Sequence, residues 1–418
     1  MYTTHELLRF ATAGSVDDGK STLVGRLLHD TKSVLADQLD AVERVSRDRG
    51  FEGADLALLT DGLRAEREQG ITIDVAYRYF STATRSFILA DTPGHVQYTR
   101  NMVTGASTAE AALILVDVRH GVVEQTRRHA AVAALLGVRH VALAVNKMDL
   151  IDFVEGPYLA ALADFGDVAT ALGITEFTPI PDSALRGDNV VDRSDRTPWY
   201  DGPTMLEYLE RVPVGVNPAS LPFRMPVQYV NRPRTPSHPD FRGYSGRIAS
   251  GVVRVGDPVV VGPSGIQTEV TGLEVLGVPV IEAFAPQSIT VILRDELDIN
   301  RGEVIAAVDE PPSVVRDLLG TICVVDDRPV NTGDRVLLRT GTATVPAIVR
   351  GIRDRLDLTT LARAQAEDSL CLNELGTIEL RLAQPVAVDP YSRLRNSGSF
   401  ILIEPQDGST LAGGMIEV

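Results

Sequence analysis

Leu8-Arg-Phe-Ala-Thr-Ala13 runs straight into Gly14-Ser15-Val16-Asp17-Asp18-Gly19-Lys20-Ser21-Thr22: an apolar, strand-like stretch, then a glycine-bounded loop, then a helical pattern reaching His29. The loop has the spacing G-x-x-x-x-G-K-[ST], and a strand before it with a helix after it is the setting that motif needs. Its glycines let the chain curl so that successive N–H groups face phosphate oxygens, and the helix N-terminus adds positive potential. Lys20 then reaches the β and γ phosphates of a nucleoside triphosphate, and the Ser21 hydroxyl becomes a ligand for Mg²⁺. Gly14 through Thr22 are the expected phosphate-binding residues, with Lys20 also expected to assist the chemistry.

Three further segments follow strands in the same way. Asp91-Thr-Pro-Gly94 closes the run Phe87-Ile-Leu-Ala90, which places Asp91 at a strand's C-terminal end to hold the Mg²⁺ shell through water and lets Gly94 offer its N–H to the γ-phosphate. Asn146-Lys147-Met148-Asp149 ends another strand; Asp149 can accept from the N1–H and exocyclic amine of guanine while Asn146 fixes the loop, so GTP is expected over ATP. Ser183-Ala184-Leu185 suits a backbone contact with the base carbonyl. Four such segments in this order, each at the same face of an alternating sheet, point to one nucleotide site. Between the first two lies Glu68-Gln-Gly-Ile-Thr-Ile73, where a segment must sense the γ-phosphate; Thr72 is the candidate switch, its hydroxyl completing the Mg²⁺ shell in the GTP state only. His95, directly after Gly94, is the candidate for orienting the attacking water.

Outward from the site, strand-like runs at Leu8–Ala13, Ile71–Phe80, Ser86–Ala90, Ala111–Val116, His140–Val145 and Phe177–Ile180 alternate with helical stretches, the rhythm of a mostly parallel α/β sheet with helices on both faces. Pro213, Gly215, Asn217, Pro218 and Pro222 mark a linker, after which short strands at close spacing suggest barrels. Glu310-Pro-Pro312 marks a second break. The expected architecture is an α/β P-loop GTPase domain over 1–215, then β-barrel domains over 216–311 and 312–418. A chain of 418 residues is long enough for two or three domains, and no apolar run approaches the roughly 18 residues that span a bilayer. The N-terminus lacks the layout of a signal peptide, so the expected setting is cytoplasmic, with no membrane partner. A net charge of −16 argues against a broadly basic nucleic-acid face. Cys323 and Cys371 both stand in apolar runs and are expected to be buried small hydrophobes.

Val16-Asp17-x-Gly-Lys, Gly70-Ile-Thr-Ile and Asp91-Thr-Pro-Gly-His95 resemble the elongation factor Tu class of GTPases, a G domain followed by two barrels. Within it, Gly14–Ser21, Thr60–Phe80, Gln97–Ser107, Phe223–Val230 and Gly398–Ile403 look like the large GTPase subunit of bacterial sulfate adenylyltransferase, the CysN family, over essentially the whole chain. The resemblance implies a two-component enzyme in which a small, CysD-like nucleotidyltransferase subunit joins ATP and sulfate into adenosine 5′-phosphosulfate and diphosphate, while this subunit hydrolyses GTP to drive that step. It also implies a hydrophobic gate at Val16 and Ile71 in front of His95, and a monovalent-cation position at Asp17. Some family members carry a fused adenylylsulfate kinase; no second phosphate loop occurs up to Val418, which fits either an unfused form or a chain that lacks the kinase half. The competing reading is a tRNA-carrying elongation factor of the same plan, against which the mixed charges over 313–418 count.

Overall fold

The strand heading the glycine loop runs Glu6–Gly14 (β1) and lies third in a six-stranded sheet. The structure, a computed structural model, describes residues 6–48, 54–59, 74–95, 99–215, 217–233, 241–365 and 368–417. The other strands are Ala76–Ser81 (β2), Arg85–Asp91 (β3), Ala111–Asp117 (β4), His140–Asn146 (β5) and Phe177–Pro181 (β6), ordered β2-β3-β1-β4-β5-β6. All neighbours pair parallel except the edge strand β2, which is antiparallel to β3. The run expected over Ile71–Phe80 is thus a strand only from Ala76 onward among its described residues. Just before it the Asp74 carboxylate takes the Val75 N–H at 2.7 Å, a local bond that competes with the ladder.

Both faces of this sheet are covered, and the sequence of β4 shows how. Ala-Ala-Leu-Ile-Leu-Val-Asp is buried at every position, as a strand packed on two sides requires. Leu113 and Leu115 enter one core with Leu8, Phe10 and Leu23, while Ile114 and Val116 enter another with Ala130 and Phe165. The first core is capped by Lys20–Asp30 (α1) and by Met205–Arg211, the second by Glu124–Leu135 and Glu155–Ala171. Parallel pairing brings the C-terminal ends of the strands to one edge: Thr12 stands beside Asp91, and Asp117 beside Asn146.

The chain divides into two compact units, Met1–Gly215 with Asp357–Ala362, and Val216–Leu356 with Arg363–Val418. The second is antiparallel β. One sheet of it joins Arg224–Pro226, Val304–Ala307, Pro258–Gly262, Ile266–Val275, Ser288–Leu293, Gly243–Arg247 and Tyr229–Asn231 around Met225, Tyr244 and Val291. In the other, Arg335–Thr340 pairs with both Ser399–Ile403 and Ala343–Leu356, closing the sheet on itself around Leu338, Ile378 and Phe400. Closure removes unpaired strand edges. Within this unit the Arg224 guanidinium, fully buried, forms a two-pronged pair with Asp389 at 3.0 and 2.9 Å, and Ser397 Oγ donates to the same carboxylate at 2.6 Å. Cys323 is buried in a strand, as expected; Cys371 is exposed. The apolar run around Cys371 breaks into a turn, with Glu374 N–H bonded to the Cys371 carbonyl at 3.0 Å and Asn373 at φ +67°, so the residue faces solvent.

Candidate functional site

At the C-terminal edge of the α/β sheet a cavity of about 450 Å³ is lined by Ser15, Val16, Asp17, Gly19, Lys20, Ser21, Thr22, Gly94, His95, Lys147 and Ala57. The glycine loop, the segment after β3 and the segment after β5 therefore meet at one place, although 50 or more residues separate each from the next in the chain. Gly19, at φ +93°, leads into α1 in a left-handed conformation that favours glycine. A Cβ there would lie 2.4 Å from Asn146 Nδ2, and one on Gly94 would lie 2.6 Å from the Gly14 carbonyl and 2.8 Å from Lys20 Nζ. Glycine is needed at both positions for the loops to approach this closely.

Asp91 is buried below the loop, accepting from Thr12 Oγ1 at 2.9 Å; Thr92 Oγ1 in turn donates to the Thr12 carbonyl at 2.6 Å. Lys20 is buried with its ammonium toward the Gly14 carbonyl at 3.4 Å. Burial pulls its pKa down, while the carboxylates of Asp91, Asp18 and Asp17 support the charge. Asp18 is pushed up by burial even as its Oδ2 accepts the Ser15 N–H at 2.5 Å and curls the loop.

The second cluster is built on Asn146. Its Nδ2 donates to the Asp18 carbonyl at 2.8 Å, and its Oδ1 accepts from Lys147 N–H at 2.7 Å and Ala184 N–H at 3.0 Å. One amide thus ties the end of β5 to the glycine loop and to the 183–185 segment. Ser183 Oγ donates to Asp149 Oδ1 at 2.6 Å, orienting that carboxylate. Lys147 and Asp17 both hold left-handed backbone, φ +65° and +68°, and Lys147 Nζ donates to the Asp17 carbonyl. Such strain in non-glycine residues persists where surrounding contacts fix it, typically at functional sites.

Reading the sequence passed over Asp117, Thr12 and Arg26. Asp117, at the end of β4, bonds Arg119 through both oxygens at 3.0 and 2.6 Å and takes Lys147 Nζ at 3.1 Å. Burial opposes its charge, but these partners hold the carboxyl well below the usual carboxylate range. Its position as the last residue of an apolar run was the available signal; Thr12 and Arg26 carried none. Thr72 and Ile71 lie outside the described residues. Val16 and His95 line the same cavity, whereas Asp149, Ser183, Ala184 and Leu185 are not among its walls.

Comparison with known proteins bears on the same residues. Residues 5–213 match the family described as elongation factor Tu GTP binding domain, and 318–417 match GTP-eEF1A C-terminal domain-like. Over 418 residues the chain is 49% identical to sulfate adenylyltransferase subunit 1 of Laribacter hongkongensis, covering 99% of this chain and 86% of that one. The chain belongs to the sulfate adenylyltransferase subunit 1 family. Another subunit 1, from Methylorubrum populi, is 50% identical over 418 residues, covering all of this chain and 88% of its own. The bifunctional enzyme CysN/CysC of Mycobacterium tuberculosis is 52% identical over 411 residues, 98% of this chain and 67% of that protein. Within the matched residues 5–213, the glycine loop and the Asn146 cluster stand at the C-terminal edge of the sheet. No helix among the described residues is long and apolar enough to cross a membrane.

Proposed function

We propose that this chain binds GTP with Mg²⁺ and hydrolyses it to GDP and phosphate, and that this hydrolysis drives formation of adenosine 5′-phosphosulfate from ATP and sulfate on a small partner nucleotidyltransferase subunit. The observation that carries the reading is the cavity lined by Lys20, Ser21, Gly94, His95 and Lys147, beside a glycine loop that Asn146 ties to the 183–185 segment, in a chain half identical to sulfate adenylyltransferase subunit 1 proteins. The backbone N–H groups of the glycine loop and the Lys20 ammonium bind the β and γ phosphates. Asp149, aimed by Ser183, accepts from the guanine N1–H and amine. His95 orients the attacking water, and Val16 contributes one wall of a gate whose other wall is Ile71. Ser21 and Asp91 offer the hard oxygen donors that Mg²⁺ prefers, with Thr72 completing the set in the GTP state. Bound there, the ion neutralises charge that develops on the phosphates.

The phosphoric–sulfuric anhydride is unfavourable to form, so coupling needs GTP turnover that depends on the partner's substrates. The test is GTP hydrolysis by the chain alone and with the small subunit, with and without ATP and sulfate. Stimulation requiring all three supports the reading. Turnover indifferent to them, with retention of aminoacyl-tRNA in the GTP state, would replace it with the carrier role.

A further inference from the structure

Arg26 stands on α1, six residues after Lys20, and reaches away from the phosphates to the segment after β6. Its Nε donates to the Ala184 carbonyl at 3.1 Å and its Nη2 to the Leu185 carbonyl at 2.5 Å. Asp30, one turn further along the helix, lies 3.6 Å from Nη1 and steadies the guanidinium. The loop returns at Gly187, φ +87°, against the same side chain: a Cβ at that glycine would meet Arg26 Cδ at 3.5 Å.

The consequence follows from peptide geometry. The Ala184 carbonyl and the Leu185 N–H belong to one planar trans unit and point in opposite directions, so fixing the first fixes the second. Ala184's own N–H is already given to Asn146 Oδ1 at 3.0 Å. The Leu185 N–H makes no hydrogen bond among the described residues, while the neighbouring Arg186 and Gly187 N–H groups are both committed to Ser183. Beside the base-facing Ala184 it is a donor the loop leaves open among the described residues. A cationic donor on the far edge of the same amide also polarises it and strengthens that N–H.

We propose that Arg26 is a positioning residue for base selection: it aims and polarises the Leu185 N–H toward the 6-oxo group of guanine. This rests on the reading of 183–185 as the base-facing segment. The guanidinium touches no nucleotide atom in this role, and its effect is blind to the γ-phosphate.

The test compares the full-length chain with Arg26→Met and Arg26→Lys, measuring competition by GDP, GTP, 6-thio-GDP and ADP. A thiocarbonyl accepts hydrogen bonds poorly, so 6-thio-GDP reports the contact at C6. In Arg26→Met, GDP and GTP should weaken by the same factor, about tenfold or more, and the preference for GDP over 6-thio-GDP should shrink. Lysine keeps the charge but not the fork, and should fall between. Equal losses for GDP and 6-thio-GDP, the signature of a merely structural arginine, overturn the proposal, as does unchanged GDP affinity. Should the methionine variant not fold by Trp199 fluorescence, wild-type affinity and preference in Arg26→Lys overturn it on their own. A wild-type chain that does not prefer GDP to ADP sinks the base-segment reading as well, which separates the two failures.

Discussion

His95 and Val16 line one cavity because Gly94, with no Cβ, lets the segment after β3 approach the glycine loop closely, and His95 brings an imidazole to that wall. Replacing His95 by alanine is therefore expected to lower the rate of GTP hydrolysis by about a hundredfold or more, while leaving GDP and GTP affinity within about twofold. Single-turnover phosphate release set beside equilibrium nucleotide binding measures both. A parallel loss of affinity would instead make His95 part of the binding cradle. Asp117 illustrates the opposite case, a residue whose carboxylate reaches the site through other side chains. It grips Arg119 and Lys147, and Lys147 in turn holds the Asp17 carbonyl, so the shape of the glycine loop depends on a carboxylate that lies outside every motif.

Helix Glu124–Leu135 covers one face of the sheet and carries a buried titratable group. His129 has its Nε2 against Gln125 Nε2 at 3.0 Å, and its buried Nδ1 makes no hydrogen bond among the described residues. Burial, helped by Lys20 and Arg128, pulls its pKa down to about 3. The ordinary value near 6.5 applies to the unfolded chain, which therefore binds more protons between about pH 3 and 6.5. In that window stability rises with pH by up to about 1.4 kcal/mol per unit; it is fully present above 6.5 and is lost as the pH falls. Denaturant unfolding followed by Trp199, the one tryptophan, should show this slope between pH 4.5 and 6.5 (about two units below the unfolded value), and His129→Gln should flatten it. A slope that survives the substitution assigns the effect to other groups.

Over the whole molecule, two kinds of polar bond act at long range in sequence. Asn146 gathers three segments of the first unit, and Arg224 joins Asp389 across 165 residues inside the second. Leaving one charge of such a buried pair alone costs far more than replacing both with apolar groups of similar size. Arg224→Met should destabilise the second unit by about 3–5 kcal/mol, and adding Asp389→Leu should restore most of it. Far-UV circular dichroism reads the loss, whereas Trp199, which belongs to the first unit, should report little change. Equal shifts in both signals would show that the two units unfold as one.

The sequence by itself determined the α/β class, the β-rich remainder and the order of the nucleotide motifs, because each rests on local pattern: strand and helix periodicity, and glycines where a loop must curl around phosphate. It also placed Cys323 correctly but not Cys371, whose apolar neighbours hid a turn. Only the tertiary structure decided which residues support the motifs. Asp117, Thr12 and Arg26 stand on different elements from the groups they hold, and no spacing along the chain encodes a contact made between parallel strands or from a helix to a distant loop. Strand order set those contacts, and strand order is fixed by how the two apolar faces of the sheet are buried.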